Sequence, residues 1–186
     1  MKICYMKAFS FGAFILMSLV TFADEVPEGW AKFERPGSTA KVSIDREVFH
    51  TSPSSFSLEW KSGNGGNLYQ TIKGYNGKRI RLSAMLRAKN INMVDRGGQL
   101  WAYTYSSGKI FMMNTSAIYG TTQYWEKHTV VFDIPENAPS VTYGLSLGQS
   151  GKLWIDSVEW EVVDKNTALR GVVSSPKSQD KPVNLP

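Results

Sequence analysis

The sequence predicts an all-β domain, an antiparallel β-sandwich with jelly-roll topology. Short runs rich in Val, Ile, Phe, Tyr, Trp and Thr recur between clusters of Gly, Asn, Pro and Ser, and no amphipathic helix of useful length occurs. About eight such runs at this spacing are typical of a sandwich or a jelly roll.

The predicted strands alternate with turn signals along the chain. Gly74-Tyr75-Asn76-Gly77 separates two strands, and the Gly- and Asn-rich segment 62–67 separates another pair, because Gly and Asn tolerate positive φ. In chain order the strands are Ala40–Val48, Phe56–Trp60, Leu68–Lys73, Arg79–Arg87, Leu100–Tyr105, Lys127–Ile134, Val141–Leu147 and Leu153–Val163.

The strand Arg79–Arg87 has the clearest alternation of apolar and polar residues. Successive side chains of a strand point to opposite faces of the sheet, so every second residue shares a face. One face carries the apolar set Ile80, Leu82, Ala84 and Leu86, and the other carries Arg79, Arg81, Ser83, Met85 and Arg87. The apolar set is predicted to lie in the core.

Residues 1–23 have the pattern of a secretory signal peptide, because Lys2 and Lys7 precede an apolar run of about a dozen residues. A spanning helix needs roughly 20 apolar residues, so cleavage after Ala23 is favoured over a retained anchor. We therefore expect an exported protein, periplasmic or extracellular, with no membrane span after cleavage. The only cysteine, Cys4, precedes the apolar run, so the mature chain would depend on its core without disulfides.

The predicted domain covers residues 24–163, and residues 164–186 are predicted to form a flexible C-terminal tail with almost no apolar periodicity. The formal net charge of +5 falls to about +3 when Lys2 and Lys7 are removed. With export, this mild excess argues against nucleic acid as a partner and leaves room for an anionic glycan.

The order of several strand and turn phrases resembles the galactose-binding-like jelly rolls that include bacterial carbohydrate-binding modules. The resemblance covers roughly Gly29 to Val163 and implies the predicted fold, with a saccharide or polysaccharide as the partner. Ligand residues vary greatly among such domains, so the resemblance alone names no ligand. The phrases are Gly29-Trp30, Leu68–Ile72, Tyr75–Ala84, Gly98–Trp101, Tyr124–Pro135, Tyr143–Leu147 and Leu153–Val158.

The strongest candidate site is the aromatic row Trp101, Tyr103 and Tyr105, whose side chains must leave one face of an extended strand. If Leu100, Ala102 and Thr104 pack inward, the three rings form an outer platform on which pyranose rings could stack. Gln70, on another strand, is a candidate polar neighbour. The alternative is that the aromatic row itself fills the core.

Arg79 and Arg81 are candidate charge partners for an acidic ligand, because guanidinium groups pair with carboxylate or phosphate through two hydrogen bonds. Together with Arg87, Lys78 and Lys89 they form a basic row. The alternative is a solvated sheet face without a ligand.

Asp156 is the candidate metal ligand, because the resemblance implies a structural calcium ion near this point of the closing strand. Glu34 and Asp45 are the available early acids, although calcium needs six or more oxygen ligands. No cofactor is required, and the alternative role of Asp156 is to order the adjacent loop through hydrogen bonds to the backbone.

Catalysis is not predicted. The segment Gly144–Gly148 matches the Gly-x-Ser-x-Gly pattern of a nucleophile elbow, but no helix and no histidine follow Ser146. The two histidines, His50 and His128, show no recognisable metal-ligand spacing, and the acids fall singly. The predicted function is a secreted, non-catalytic saccharide-binding domain, with a structural or protein–protein interaction domain of the bacterial envelope as the alternative.

Overall fold

The computed structural model describes residues 26–61, 65–92, 97–106, 109–114 and 118–171, and within 105–114 it describes the backbone alone. The predicted signal peptide, 1–23, lies outside the described residues, as does the last part of the predicted tail, 172–186. Within the described residues no helix is long and apolar enough to cross a membrane.

Two antiparallel sheets of five strands each form the structure. This arrangement confirms the predicted antiparallel β-sandwich. The strand order is β1-β4-β9-β6-β7 in the first sheet and β2-β3-β10-β5-β8 in the second sheet. The ten strands are β1 Trp30–Glu34, β2 Ala40–Asp45, β3 Ser55–Trp60, β4 Gly66–Ile72, β5 Arg79–Lys89, β6 Gly98–Ser106, β7 Lys109–Asn114, β8 Glu126–Asp133, β9 Val141–Leu147 and β10 Gly151–Val163.

The core lies between the two sheets and contains every second side chain of the strands in each sheet. Leu68, Leu100 and Leu145 of the first sheet and Leu58 and Leu82 of the second are fully buried. Burying one such side chain contributes roughly 1.5–3 kcal/mol relative to leaving it exposed. The alternation thereby assigns each remaining side chain of a strand to an outer face.

Strand β5 confirms the predicted faces. Ile80, Leu82, Ala84 and Leu86 are buried in the core, whereas Arg79 and Arg81 lie on the outer face of the second sheet.

The segment after β10 contacts the second sheet. Arg79 donates hydrogen bonds to the carbonyl oxygens of Lys165 and Thr167, and Arg170 pairs with Val131 as an isolated β-bridge. Residues 164–171 are therefore attached to the domain, whereas the sequence places them in the tail. The sequence does not reveal this attachment, because the attachment depends on hydrogen bonds to the backbone and not on apolar side chains.

Candidate functional site

A groove follows strand β9 on the outer face of the first sheet. Directly opposed residues of antiparallel strands project to the same face, and Gly144 is opposed by Tyr69 of β4 on one side and by Trp101 of β6 on the other. The floor consists of Thr142, Gly144 and Ser146. The walls are Asn67, Tyr69 and Thr71 on β4 and Gln99, Trp101 and Tyr103 on β6.

Gly144 is buried between the two aromatic walls and lets β4 approach β9 closely. A Cβ atom at this position would lie 2.1 Å from the carbonyl oxygen of Leu68 and 2.7 Å from the Cα of Tyr69. Any side chain would therefore collide with the backbone of β4. Since neighbouring strands lie about 4.8 Å apart, Tyr69 and Trp101 stand about 10 Å apart across the floor.

The β6 wall is a rigid aromatic pair. The rings of Trp101 and Tyr103 stack with their centroids 5.4 Å apart and their planes 14° from parallel. Leu100, Ala102 and Thr104 pack inward, so Trp101 and Tyr103 lie on the outer face of the sheet. The side chain of Tyr105 lies outside the described residues.

The picture of a freely exposed Trp101 is wrong, because only 8% of this residue is accessible to solvent. Its indole Nε1 has no hydrogen-bond partner among the described residues. This N–H group is itself buried from solvent, so a ligand in the groove would contact the Trp101 ring and not its nitrogen. Truncating so buried a tryptophan would cost roughly 3–5 kcal/mol, so half-buried Tyr69 is the better probe of ligand binding.

Short polar side chains line the groove beside the rings. The hydroxyls of Thr71 and Thr142 are 2.9 Å apart, and the Ser146 hydroxyl lies 3.4 Å from the Gln99 Oε1. Amides and hydroxyls both donate and accept, as the hydroxyl groups of a sugar do.

Gln70 does not belong to this groove, in contrast to the prediction. It is adjacent to Tyr69 in the strand and therefore faces the interior, where the Tyr143 hydroxyl donates a 2.5 Å hydrogen bond to its Oε1. Burial, and to a smaller extent the nearby Tyr75, raises the pKa of Tyr143, so its hydroxyl remains a donor.

Arg79 and Arg81 also lie far from the groove, because they belong to the outer face of the opposite sheet. Arg79 donates two hydrogen bonds to Asp133, at 2.9 and 2.7 Å, and Arg81 forms a 2.7 Å ion pair with Glu161. The hydrogen bonds from Arg79 are the main reason that the pKa of Asp133 is lowered. The prediction that Arg79 and Arg81 are charge partners of the aromatic platform is therefore wrong.

Asp156 lies on the outer face of the second sheet and binds hydrogen-bond donors. Its carboxylate accepts from the backbone N–H groups of His50, Thr51 and Ser157, and from the Ser52 hydroxyl. Burial alone would raise its pKa, but these hydrogen bonds lower it.

The acids proposed to join Asp156 at a calcium ion are engaged elsewhere. Asp45 accepts from Trp154 and Lys152, and Glu34 pairs with Lys32. Within the described residues no group of three His, Cys, Asp or Glu side chains could hold a metal ion. The geometry matches the alternative role, in which Asp156 orders the loop between β2 and β3, residues 46–54.

Tyr69, Asn67 and Gln99 were not predicted as site residues. The available signal was β9, where Thr142, Gly144 and Ser146 alternate with large buried residues. A strand whose outer face carries only small residues leaves room between its neighbours. Local patterns do not tell which strands those neighbours are.

The chain has a jelly-roll β-sandwich fold, the fold that is also found in carbohydrate-binding modules. The CBM22-1 xylan-binding domain of Paenibacillus barcinonensis Xyn10C is similar with a TM-score of 0.54 and 15% identity, over 75% of this chain and 90% of that one. The enzymatically active domain of bacteriophage CBA120 tailspike protein 4 has a TM-score of 0.58 and 13% identity, over 75% of this chain and 20% of that one. At these identities the likeness concerns the fold alone.

No protein-family model matches the chain. An uncharacterized HTH-type transcriptional regulator of Bacillus subtilis (strain 168), YbfP, is 28% identical over 175 residues, which cover 89% of this chain. The chain spans 58% of the length of that relative.

Proposed function

We propose that the chain is a non-catalytic domain that binds a saccharide in the groove of the first sheet. The observation that carries this proposal is the placement of Tyr69 and Trp101 on either side of Gly144 on one face. Rigid aromatic rings stack on the apolar faces of pyranose rings and lose little side-chain entropy on binding. The adjacent amides and hydroxyls would bind the sugar hydroxyls.

The groove residues also support a binding role over hydrolysis. Glycoside hydrolysis ordinarily requires two carboxyl groups that flank the scissile bond. The described side chains of the groove walls and floor include no Asp, Glu or His. We therefore propose that the domain holds its ligand without cleaving it.

The proposed location is the periplasm or the extracellular space, on the strength of the signal-like residues 1–23. The structural neighbour named as a xylan-binding domain supports a polysaccharide as the ligand class. The likeness to a relative named as an HTH-type regulator does not support DNA binding by this chain. A helix-turn-helix reads DNA with a helix, and the described residues contain only strands, bridges and turns.

A glycan-array screen, followed by calorimetric titration of the tightest oligosaccharide, tests the proposal. We expect binding by the full chain and an affinity loss of about tenfold or more in Tyr69→Ala, since one lost stacking contact is worth about 1.4 kcal/mol. Tyr124→Ala is the matched control, because Tyr124 is 71% exposed and lies outside the groove.

Two outcomes would contradict the proposal. Equal affinity of Tyr69→Ala and the parent would remove the groove as the site. Uniform absence of binding across neutral and acidic glycans would favour a structural or protein-interaction domain instead.

A further inference from the structure

A second concave site lies on the opposite side of the molecule, at one end of the outer face of the second sheet. It is a pocket of about 550 Å³, within the range of small-molecule sites. Three elements converge there: the end of β3, the end of β5 and the start of β10. The lining includes Glu59, Lys61, Lys89, Asn90, Lys152 and Trp154.

The strand register concentrates positive charge at this pocket. One row across four strands carries Lys41, Glu59, Lys152 and Lys89, each directly opposed to the next. Arg87 belongs to the neighbouring row, opposite Trp154. Of the charged residues that line the pocket itself, three are cations, Lys61, Lys89 and Lys152, and one is a carboxylate, Glu59.

Lys152 is the fixed cation of the group. Its Nζ lies 3.1 Å from Asp45 and 4.6 Å from the ring centroid of Trp154, and the Trp154 Nε1 donates a 2.8 Å hydrogen bond to the same carboxylate. This arrangement holds the lysine against the sheet, with 24% of its side chain exposed. Because Asp45 already pairs with Lys152, the net positive charge of the pocket comes from the other cations.

The other cations are not neutralised by carboxylates in the described part of the chain. No ion pair involves Lys41, Lys61, Arg87 or Lys89 there. The basic row predicted from the sequence is thus divided. Arg79 and Arg81 at one end of β5 are paired with acids, whereas Arg87 and Lys89 at the other end are not. Convergence of such charges around a cavity raises the local concentration of anions.

We propose that this pocket binds the anionic group of a small acidic saccharide, one or two rings in size. A pocket of this volume can accommodate such a ligand, and Glu59 within the row disfavours a continuous phosphate backbone. Asn90 and Ser150 at the rim supply polar groups for ring hydroxyls. The pocket and the groove lie on opposite sheets and share no residue.

Nuclear magnetic resonance titration of the full chain with digalacturonic acid tests this site, with uncharged galactobiose and inorganic phosphate as comparison probes. We expect digalacturonic acid to shift the amide signals of Lys89, Gly151 and Lys152. Lys61→Glu/Lys89→Glu should weaken binding about tenfold or more, and added salt should weaken it in the parent.

The matched control is Lys73→Glu/Lys78→Glu, which changes the net charge equally at exposed positions near the other end of β5. We expect this control to bind as the parent does. An equal loss in both double variants would overturn the proposal, because it would indicate a non-specific charge effect. Equal or tighter binding of phosphate, galactobiose or a single-stranded DNA oligonucleotide would also overturn it, as would the absence of shifts at the pocket.

Discussion

The carboxylate of Asp45 shows how a single residue organises the outer face of the second sheet. It accepts hydrogen bonds from Trp154 at 2.8 Å, Lys152 at 3.1 Å and the backbone N–H of Val48 at 3.0 Å. Burial raises its pKa, but the hydrogen bonds outweigh burial and lower the pKa to about 2. The charged form is therefore the form that the folded state favours.

A pH-dependent stability difference should follow from Asp45. Its folded-state pKa lies below the ordinary value of about 3.9, so its contribution is present above pH 4 and is lost as pH falls toward 2. We expect Asp45→Asn to lower the free energy of unfolding at pH 6 by on the order of 2 kcal/mol, with the difference shrinking toward pH 2. Urea unfolding across this range is the measurement. A difference independent of pH would contradict the account.

Individual residues also mark the limit of sequence-based site prediction. Alternation within one strand predicts the outward direction of Trp101 and Tyr103 and the inward direction of Leu100. It does not predict that Tyr69 and Trp101 share Gly144 as a neighbour, because that depends on long-range strand pairing. For the same reason the sequence does not reveal that Tyr69, and not the predicted neighbour Gln70, lies in the groove.

At the scale of elements, the eight strands predicted from composition and turn signals are all present. The two strands that were missed are β1 and β7. Strand β1 has five residues with Lys32 and Glu34 interleaved, so its polar content resembles a loop. Strand β7 reads Lys-Ile-Phe-Met-Met-Asn, in which four consecutive apolar residues show no period of two.

The turn between β2 and β3 depends on another element for its order. Asp156 of β10 binds the backbone N–H groups of His50 and Thr51, next to a bulge at which Ser157 adopts a φ of 51°. A positive φ at a residue other than glycine is uncommon and persists when neighbouring contacts hold it. Asp156 thus joins the closing strand to a loop more than a hundred residues earlier in the chain.

We expect the amides of residues 50 and 51 to exchange hydrogen faster in Asp156→Asn, because a neutral amide is a weaker acceptor than a carboxylate. We also expect chelation with EDTA to leave the melting temperature of the parent unchanged. Hydrogen exchange and thermal melting check the two statements. A clear fall in melting temperature on chelation, restored by added calcium, would instead establish a structural calcium ion.

At the scale of the whole molecule, the sandwich separates two kinds of surface. The first sheet presents aromatic rings over a floor of small residues, and the second presents charged rows in which some cations are paired and others are not. Sheets in a sandwich pack about 10 Å apart, so a ligand on one outer face cannot reach the other. This separation rules out a single site that combines Trp101 with Arg79 and Arg81.

The central claim is that a saccharide occupies the groove between Tyr69 and Trp101. Chemical-shift mapping with the neutral oligosaccharide that binds most tightly on the array tests it most directly. The account predicts the largest backbone shifts at Tyr69, Gly144 and Trp101, with the pocket signals of Lys89 and Lys152 unchanged. Shifts confined to the second sheet or to the ends of the sandwich, with the three groove residues unaffected, would contradict it.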